Sequence, residues 1–497
     1  MKQILLMIII AFCVSACNDW LDVRPDTEQK EEDQFSTTGG FYDALIGCYM
    51  SMADADTYGE RLTISNVESL TGIWYMPEEA SSVSSSRLCD FELSRRNYNG
   101  DNAKEAISAM YSALFNVIVQ ANMIIKYADE NADVFIDKTA LSTVKGEAYA
   151  IRAYCQFDIL RLFGQMPVNP QKQVALPYSF TTSIYEMPAY YDFDNYVKLL
   201  KEDLKQAEDY LKENDPIFKY TFDELNKDAD VSDDRMLFRQ SRLNYWAVKA
   251  LQARVHLYLN ERSNAARIAG EIMNAKGVDG GSLIGLSGRD NFAKGYKLCP
   301  DECLFYLSKY NIMTVTESFL LGKVENARYG SNCLVLERTK YDFLYAGVDQ
   351  ASNRYQNCWN RNVASNTQAG AYVATAKYWW KEGVENQTRY FQLVPMLRMS
   401  EIYLIAMESS DNLPDVNKWY KEYSLEQGIG SSQDFASLEE AKKWIKAEYC
   451  REFFVEGQAF YTYKRLSEPK MLGSDKMVGE TEYILPLPAT EFNPNNL

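Results

Sequence analysis

The sequence predicts a mainly α-helical protein that carries a loop-rich insert, and three observations lead there. First, Gly146 to Pro167 reads GEAYAIRAYCQFDILRLFGQMP, with apolar residues recurring at Ala148, Ile151, Cys155, Ile159 and Leu162. That spacing is one helix with a buried stripe, stopped by Gly164 and Pro167. Second, the same stripe appears at Ile107, Tyr111, Leu114, Ile118, Ala121 and Ile125, and further segments repeat it. Third, between Lys276 and Leu393 the pattern lapses. Glycines at 277, 280, 281, 285, 288 and 295 break up the first part, and no long helical stripe follows.

Taken in order, the chain opens on a leader. Lys2 gives a thin positive end, Ile4 to Val14 an apolar run, and Val14-Ser15-Ala16-Cys17 a small-residue cleavage site. The run is too short to span a membrane. It resembles the bacterial lipobox, which makes residues 1–16 a signal peptide, Cys17 the lipidated first residue and residues 17–34 a charged tether. The competing reading is an ordinary signal peptide that happens to contain cysteine. Several acyl chains on one cysteine hold a protein stably, whereas one chain alone gives marginal binding.

Residues 35–497 are then expected to form a single domain, with its insert at about 276–395. The connection from Glu130 to Lys138 is short, so the helices on either side of it should pack as an antiparallel hairpin. Glu147 and Arg152 flank the central stripe, one on each side, and can clamp that helix to its neighbours. Further helices are expected over Tyr196–Leu211, Leu243–Leu259, Asn264–Met273, Leu397–Met407 and Leu438–Phe454. Repeated pairs of this size suggest tetratricopeptide-like units, although no repeat consensus is legible. The insert should hold short strands, and a second irregular stretch runs from Thr71 to Asn99. Loops on a rigid scaffold are where binding residues concentrate.

Composition excludes some functions. The formal net charge is -17 over 497 residues, without a basic run, which argues against nucleic acid and against electrostatic adhesion to anionic lipid. Apart from Cys13 and Cys17, eight cysteines remain, too few for a disulfide scaffold in a chain of this length. Cys48 and Cys155 sit on apolar helix faces and read as small buried residues. Cys299 and Cys303 have no histidine nearby and no second cysteine pair to complete a zinc site.

Enzyme readings have little to work with. The one histidine, His256, lies inside the Leu243–Leu259 helix among Val255, Leu257 and Tyr258, so it reads as structural. There is no Gly-x-Ser-x-Gly, no phosphate-cradling loop and no His-Glu-x-x-His. A glycoside hydrolase needs only two carboxylates, and 69 acidic residues do not single out a pair. Glu448, Glu452 and Glu456 share a helical face but, beside Arg451, read as clamps. Asp228, Asp230, Asp233 and Asp234 fail the EF-hand pattern and read as a solvated loop. No metal and no cofactor is expected.

Aromatics in irregular segments are more informative. Sugars present flat apolar faces ringed by hydroxyls, so their sites pair an aromatic ring with Asn, Asp or Arg side chains. One place with that make-up is Trp74-Tyr75 with Arg95, Arg96, Asn97 and Tyr98. The other is the insert, with Tyr296, Tyr355, Trp359 between Asn357 and Asn360, and Tyr378-Trp379-Trp380. Trp379 and Trp380 face opposite ways if extended. The candidate ligand-binding residues are Trp74, Tyr75, Asn97, Tyr98, Tyr296 and Trp359; the competing reading makes these rings core.

Several stretches together resemble the SusD/RagB-like family of outer-membrane nutrient-binding lipoproteins. They are Gly146-Glu-Ala, Arg152-Ala-Tyr and Leu162-Phe-Gly in the central helix, the opening CNDWLDVRPDTEQ, Gly39–Met52, Tyr111–Asp129 with Ala121-Asn122, Met396–Ser409, Arg451 with Glu456-Gly457, and the closing Tyr483–Leu497. One departure is Tyr461–Leu466, which reads Tyr-Thr-Tyr-Lys-Arg-Leu where the family has Asp-Leu-x-Arg-Trp. The resemblance implies a tetratricopeptide-like scaffold and a lipid-anchored protein on the outer membrane facing the exterior. It also implies a SusC-like TonB-dependent transporter as partner, and ligand capture without chemistry. An oligosaccharide is the first-choice ligand and a peptide the second; a lipid-anchored glycosidase and a purely structural cap are the competing classes. Family members also build part of their ligand site around the Trp74 region.

Overall fold

The structure is a computed structural model that describes residues 31–492 except 184–185, 228, 232, 322–326, 366–367, 380–390, 431–432 and 475. The signal segment, Cys17, the first part of the tether, Trp380, Asp228 and the last five residues lie outside the described residues.

Helices α1 (Thr38–Met52), α2 (Asp101–Glu130), α3 (Lys138–Phe163), α4 (Phe193–Leu211), α5 (Tyr245–Tyr258) and α6 (Arg262–Met273) pack each against the next in chain order. The result is the tetratricopeptide-like row of antiparallel pairs. α2 is long and apolar enough to cross a membrane, but half of that stretch is buried, and α2 packs against α1 and α3 as core. Short polar residues set the starts: Asp137 accepts from Thr139 N–H at 2.8 Å, Asp192 from Asn195 N–H at 2.9 Å and Asn244 from Ala247 N–H at 3.0 Å.

α3 is the hub, buried on almost every side, and its two expected clamps are formed. Arg152 makes a two-pronged contact with Asp203 on α4 at 2.7 and 2.6 Å, and its third nitrogen reaches Asn122 on α2 at 2.8 Å. Glu147 accepts from Tyr49 on α1 at 2.7 Å and pairs with Arg239. One acid and one base thus tie α3 to three neighbours. Charges this deep persist because each is matched.

After α6 come short elements: β1 (Cys303–Ser308), β2 (Leu336–Glu337), α7 (Arg338–Leu344), β3 (Trp359–Val363), β4 (Tyr372–Thr375) and β5 (Leu393–Arg398). β1 and β5 pair antiparallel, Ser308 opposite Leu393 and Cys303 opposite Arg398. Between them the order β2-β4-β3 makes a small antiparallel sheet. The chain then returns to helices α8 (Met399–Ser409), α9 (Leu413–Gln427), α10 (Leu438–Glu452) and α11 (Ala459–Arg465).

One boundary and one whole helix differ from expectation. Leu397 and Arg398 belong to β5 rather than to α8, because β1 supplies strand partners there. α9 was not expected at all: its buried stripe is Val416, Tyr420, Tyr423 and Gln427, in which tyrosines replace the aliphatic residues that make a helix legible.

Candidate functional site

Residues 74 and 75 alternate, and that alternation organises the site. Trp74 turns inward, 3% exposed, with its ring 6.5 Å from that of Trp359. Trp359, 7% exposed, stacks on Phe454 at 4.4 Å and donates from Nε1 to Tyr345 Oη at 3.3 Å. Both tryptophans are therefore core beneath the β2-β4-β3 sheet, and neither offers a free face to a sugar. Leu336, Val373 and Trp359 lie on this inner face because successive strand residues point to opposite sides.

Tyr75 turns outward. Its backbone N–H bonds Val335 O at 2.8 Å, adding it to the edge of the sheet. On the outer face its ring stands 4.8 Å from Tyr372 and 5.3 Å from Tyr329, and those two are 5.1 Å apart. The three rings, all half-buried, lie over Val335, Val363 and Ala374. Burial, followed by its hydrogen bond with Tyr75, raises the Tyr372 hydroxyl well above its ordinary range, so it remains a neutral donor and acceptor. Three such hydroxyls around an apolar patch match the mixed character of a sugar ring.

The outer face continues into a cleft of about 510 Å³. Glu337, opposite Tyr372 in the sheet, joins the two. Lys340 and Phe343 on α7 form one wall, and Lys470, Gly473 and Ser474 the other. Phe343 is 61% exposed, which leaves its ring free for stacking.

The remaining expected residues go elsewhere. Tyr296 is buried edge-on against Phe391 at 5.2 Å, a separate aromatic pair. Tyr98 donates to Glu482 O at 2.5 Å and so holds the C-terminal segment. Asn97 is exposed in the turn before α2. Of the six, only Tyr75 reaches the aromatic face. Tyr329, Tyr372, Lys340 and Phe343 were not anticipated; the alternation Tyr372-Val-Ala-Thr is a strand signal, but nothing local says which strand face is exposed.

The other chemical candidates are accounted for structurally. His256 Nδ1 lies 2.5 Å from Glu261 Oε2, and burial lowers its proton affinity. Glu448 pairs with Arg451 and Arg354, Glu452 with Arg354 and Arg398, and Glu456 with Lys377 and Arg398. Asp233 accepts from Arg235, which holds its carboxyl below the usual range. Cys48 and Cys155 are fully buried free thiols, and Cys303 Sγ points at Cys299 O at 3.5 Å. Among the described residues no group of His, Cys, Asp and Glu is gathered as a metal ion requires.

The fold is thus a row of paired helices carrying a short-stranded insert with an aromatic outer face. Residues 19–215 match the SusD-like family described as starch-binding, associating with the outer membrane. A solved SusD superfamily protein from Bacteroides thetaiotaomicron is 18% identical, with 92% of this chain and 98% of that one superposed at a TM-score of 0.71. A laminarin-binding SusD-like protein (16% identical, 92% and 97% covered, TM-score 0.64) and surface glycan-binding protein A from Bacteroides fluxus (16%, 92% and 96%, TM-score 0.65) share the fold. SusD-like protein P2 of Formosa agariphila is 24% identical over 166 residues, a match that covers 33% of this chain and 30% of that protein. Residues 19–215 are thus similar in sequence to the SusD-like family, and nearly the whole chain shares the fold of solved SusD superfamily structures.

Proposed function

We propose that this protein is a non-catalytic, lipid-anchored glycan receptor that captures an oligosaccharide and hands it to a TonB-dependent β-barrel transporter. A lipid on Cys17 tethers the single domain to the outer membrane, facing outward. The observation that carries the reading is the outer face of the insert sheet, where Tyr75, Tyr329 and Tyr372 present half-exposed rings backed by the locked Trp74–Trp359 layer. Support comes from the family described as starch-binding and from two structural neighbours named for laminarin and surface-glycan binding. The carboxylates most suggestive of hydrolysis are each held by a buried cation, which suits clamps and not an acid–nucleophile pair.

Calorimetry of the mature protein against matched panels of oligosaccharides and peptides, with product analysis of the same samples, tests this. Saturable, product-free binding of one glycan class is expected, weakened about tenfold by Tyr75→Ala or Tyr372→Ala, the loss of one aromatic contact. Preference for peptides, or appearance of product, would overturn it.

A further inference from the structure

We infer that the cleft beside the tyrosine face receives an oxyanion, so that the captured sugar chain is acidic, bearing a sulfate ester or a uronate carboxylate. This deepens the glycan-receptor reading and depends on it.

The carrying observation is Arg96. It is 8% exposed, and its Nε and Nη2 have neither solvent nor a hydrogen-bond partner. Among the described residues no carboxylate pairs with it. Buried arginines elsewhere behave differently: Arg152, Arg239, Arg254 and Arg398 each meet at least one carboxylate within 3.0 Å. Burying an unmatched charge is costly, and a protein that keeps one has a compensating anion to gain. Arg96 also has a left-handed backbone, φ 57°, which a non-glycine residue adopts at a cost.

Its guanidinium lies behind the cleft wall. A Cβ built on Gly72 would stand 3.9 Å from Arg96 Nη2 and 3.3 Å from Ser474 Oγ, and Ser474 lines the cleft. Other bases converge there. Lys340 and Lys470 line the cleft, and Lys476 lies on the Lys470–Met477 turn. Lys476 loses proton affinity first to burial and then to repulsion from Arg95, Arg96 and Lys340, so it lies in the neighbourhood of each. Arg95 is held by carbonyls, Pro77 O at 2.6 Å and Glu78 O at 3.2 Å. Of the nearby acids, Glu78 and Glu79 are solvent-exposed, Glu482 is tied to Gly479 N–H at 2.7 Å, and Glu337, itself on the cleft, pairs with Lys340 at 3.7 Å; Lys470, Lys476 and Arg96 pair with no carboxylate among the described residues. In a chain of net charge -17, three bases without carboxylate partners around one cleft are a specific feature. A pyranose stacked on Phe343 would bring an acidic substituent toward Lys340, Lys470 and the Ser474 hydroxyl, with Lys476 nearby and Arg96 behind the wall.

The test is calorimetry of the mature protein with neutral laminarin oligosaccharides, sulfated carrageenan oligosaccharides, oligogalacturonates and an acidic peptide, at about 50 and about 500 mM NaCl, since exposed charge pairs are screened over this range. One acidic sugar should bind at least ~tenfold tighter than the neutral one and weaken ~tenfold with Arg96→Met, with Lys340→Ala/Lys476→Ala and with salt. Whether the sulfated or the uronate panel responds identifies the oxyanion. Arg96→Met should keep or raise the melting temperature, because no partner is lost; a drop would mark Arg96 as structural and overturn its role, while the Lys340 and Lys476 variants still test the cleft. Equal affinity for neutral and acidic sugars, or variants that bind like wild type, would overturn the oxyanion and leave the glycan receptor standing. Binding of no sugar, or only of the peptide, would overturn both.

Discussion

Trp74 Nε1 donates to Glu68 Oε2 at 3.2 Å, so the indole that looked like a sugar platform is tied down beneath the insert. The other Glu68 oxygen accepts from Gly457 N–H at 3.0 Å, and burial pushes Glu68 up to about 7.

The sign of the resulting pH dependence follows. A carboxyl raised above its unfolded value stabilises the fold fully below about pH 4.5 and loses that contribution as pH rises through about 7. The span is worth on the order of 3 kcal/mol. Glu68→Gln, which keeps an acceptor and carries no charge, should flatten the difference: melting temperatures of wild type fall relative to the variant between pH 5 and 8. Parallel curves would show that Glu68 does not titrate there.

Arg398 gathers three buried carboxylates, with Glu302 at 2.5 Å, Glu452 at 2.6 Å and Glu456 at 2.8 Å. Burial alone would raise Glu452, but Arg354 and Arg398 outweigh it and hold it at about 2. Arg398→Met strands these acids and should cost about 3–5 kcal/mol in denaturant unfolding. By contrast, Lys205→Ala, which breaks an exposed pair with Asp209 one turn along α4, should change stability by less than about 0.5 kcal/mol. Similar losses for the two would contradict the burial argument.

Gly457 has φ 72°, and a Cβ there would stand 2.3 Å from Leu62 O, a backbone atom that cannot swing aside. Gly457→Ala combines left-handed strain with that clash and should cost more than about 2 kcal/mol. A melting temperature within a degree of wild type would refute it.

Stability and binding should separate across the sheet. Trp359→Ala, on the inner face against Phe454 and Trp74, should lose about 3–5 kcal/mol of stability. Tyr372→Ala, on the outer face, should lose less than about 1.5 kcal/mol, with its larger effect on ligand affinity. Unfolding curves beside binding isotherms for both variants would reverse the assignment if Tyr372 proved the more destabilising.

The scaffold was legible because helical periodicity is a local signal. The stripes in α2 and α3, and the opposed placement of Glu147 and Arg152, are properties of residue spacing, and the structure uses all of them. α9 escaped because its stripe is built of tyrosines, which read as polar until something covers them. The candidate aromatics were legible only as a region: the Trp74-Tyr75 segment and the insert do pack together, but the rings on the outer face are mostly other ones.

By itself, then, the amino-acid order determined the helical class and the stripes that build the scaffold. Only the tertiary structure decided which aromatics face outward and which arginine goes unpaired. The physical reason is that exposure and charge matching are set by contacts distant in sequence. Trp74 is buried because Trp359 lies over it, 285 positions on. Arg96 becomes conspicuous only once its Nε and Nη2 are found buried without a hydrogen-bond partner and, among the described residues, no carboxylate pairs with it.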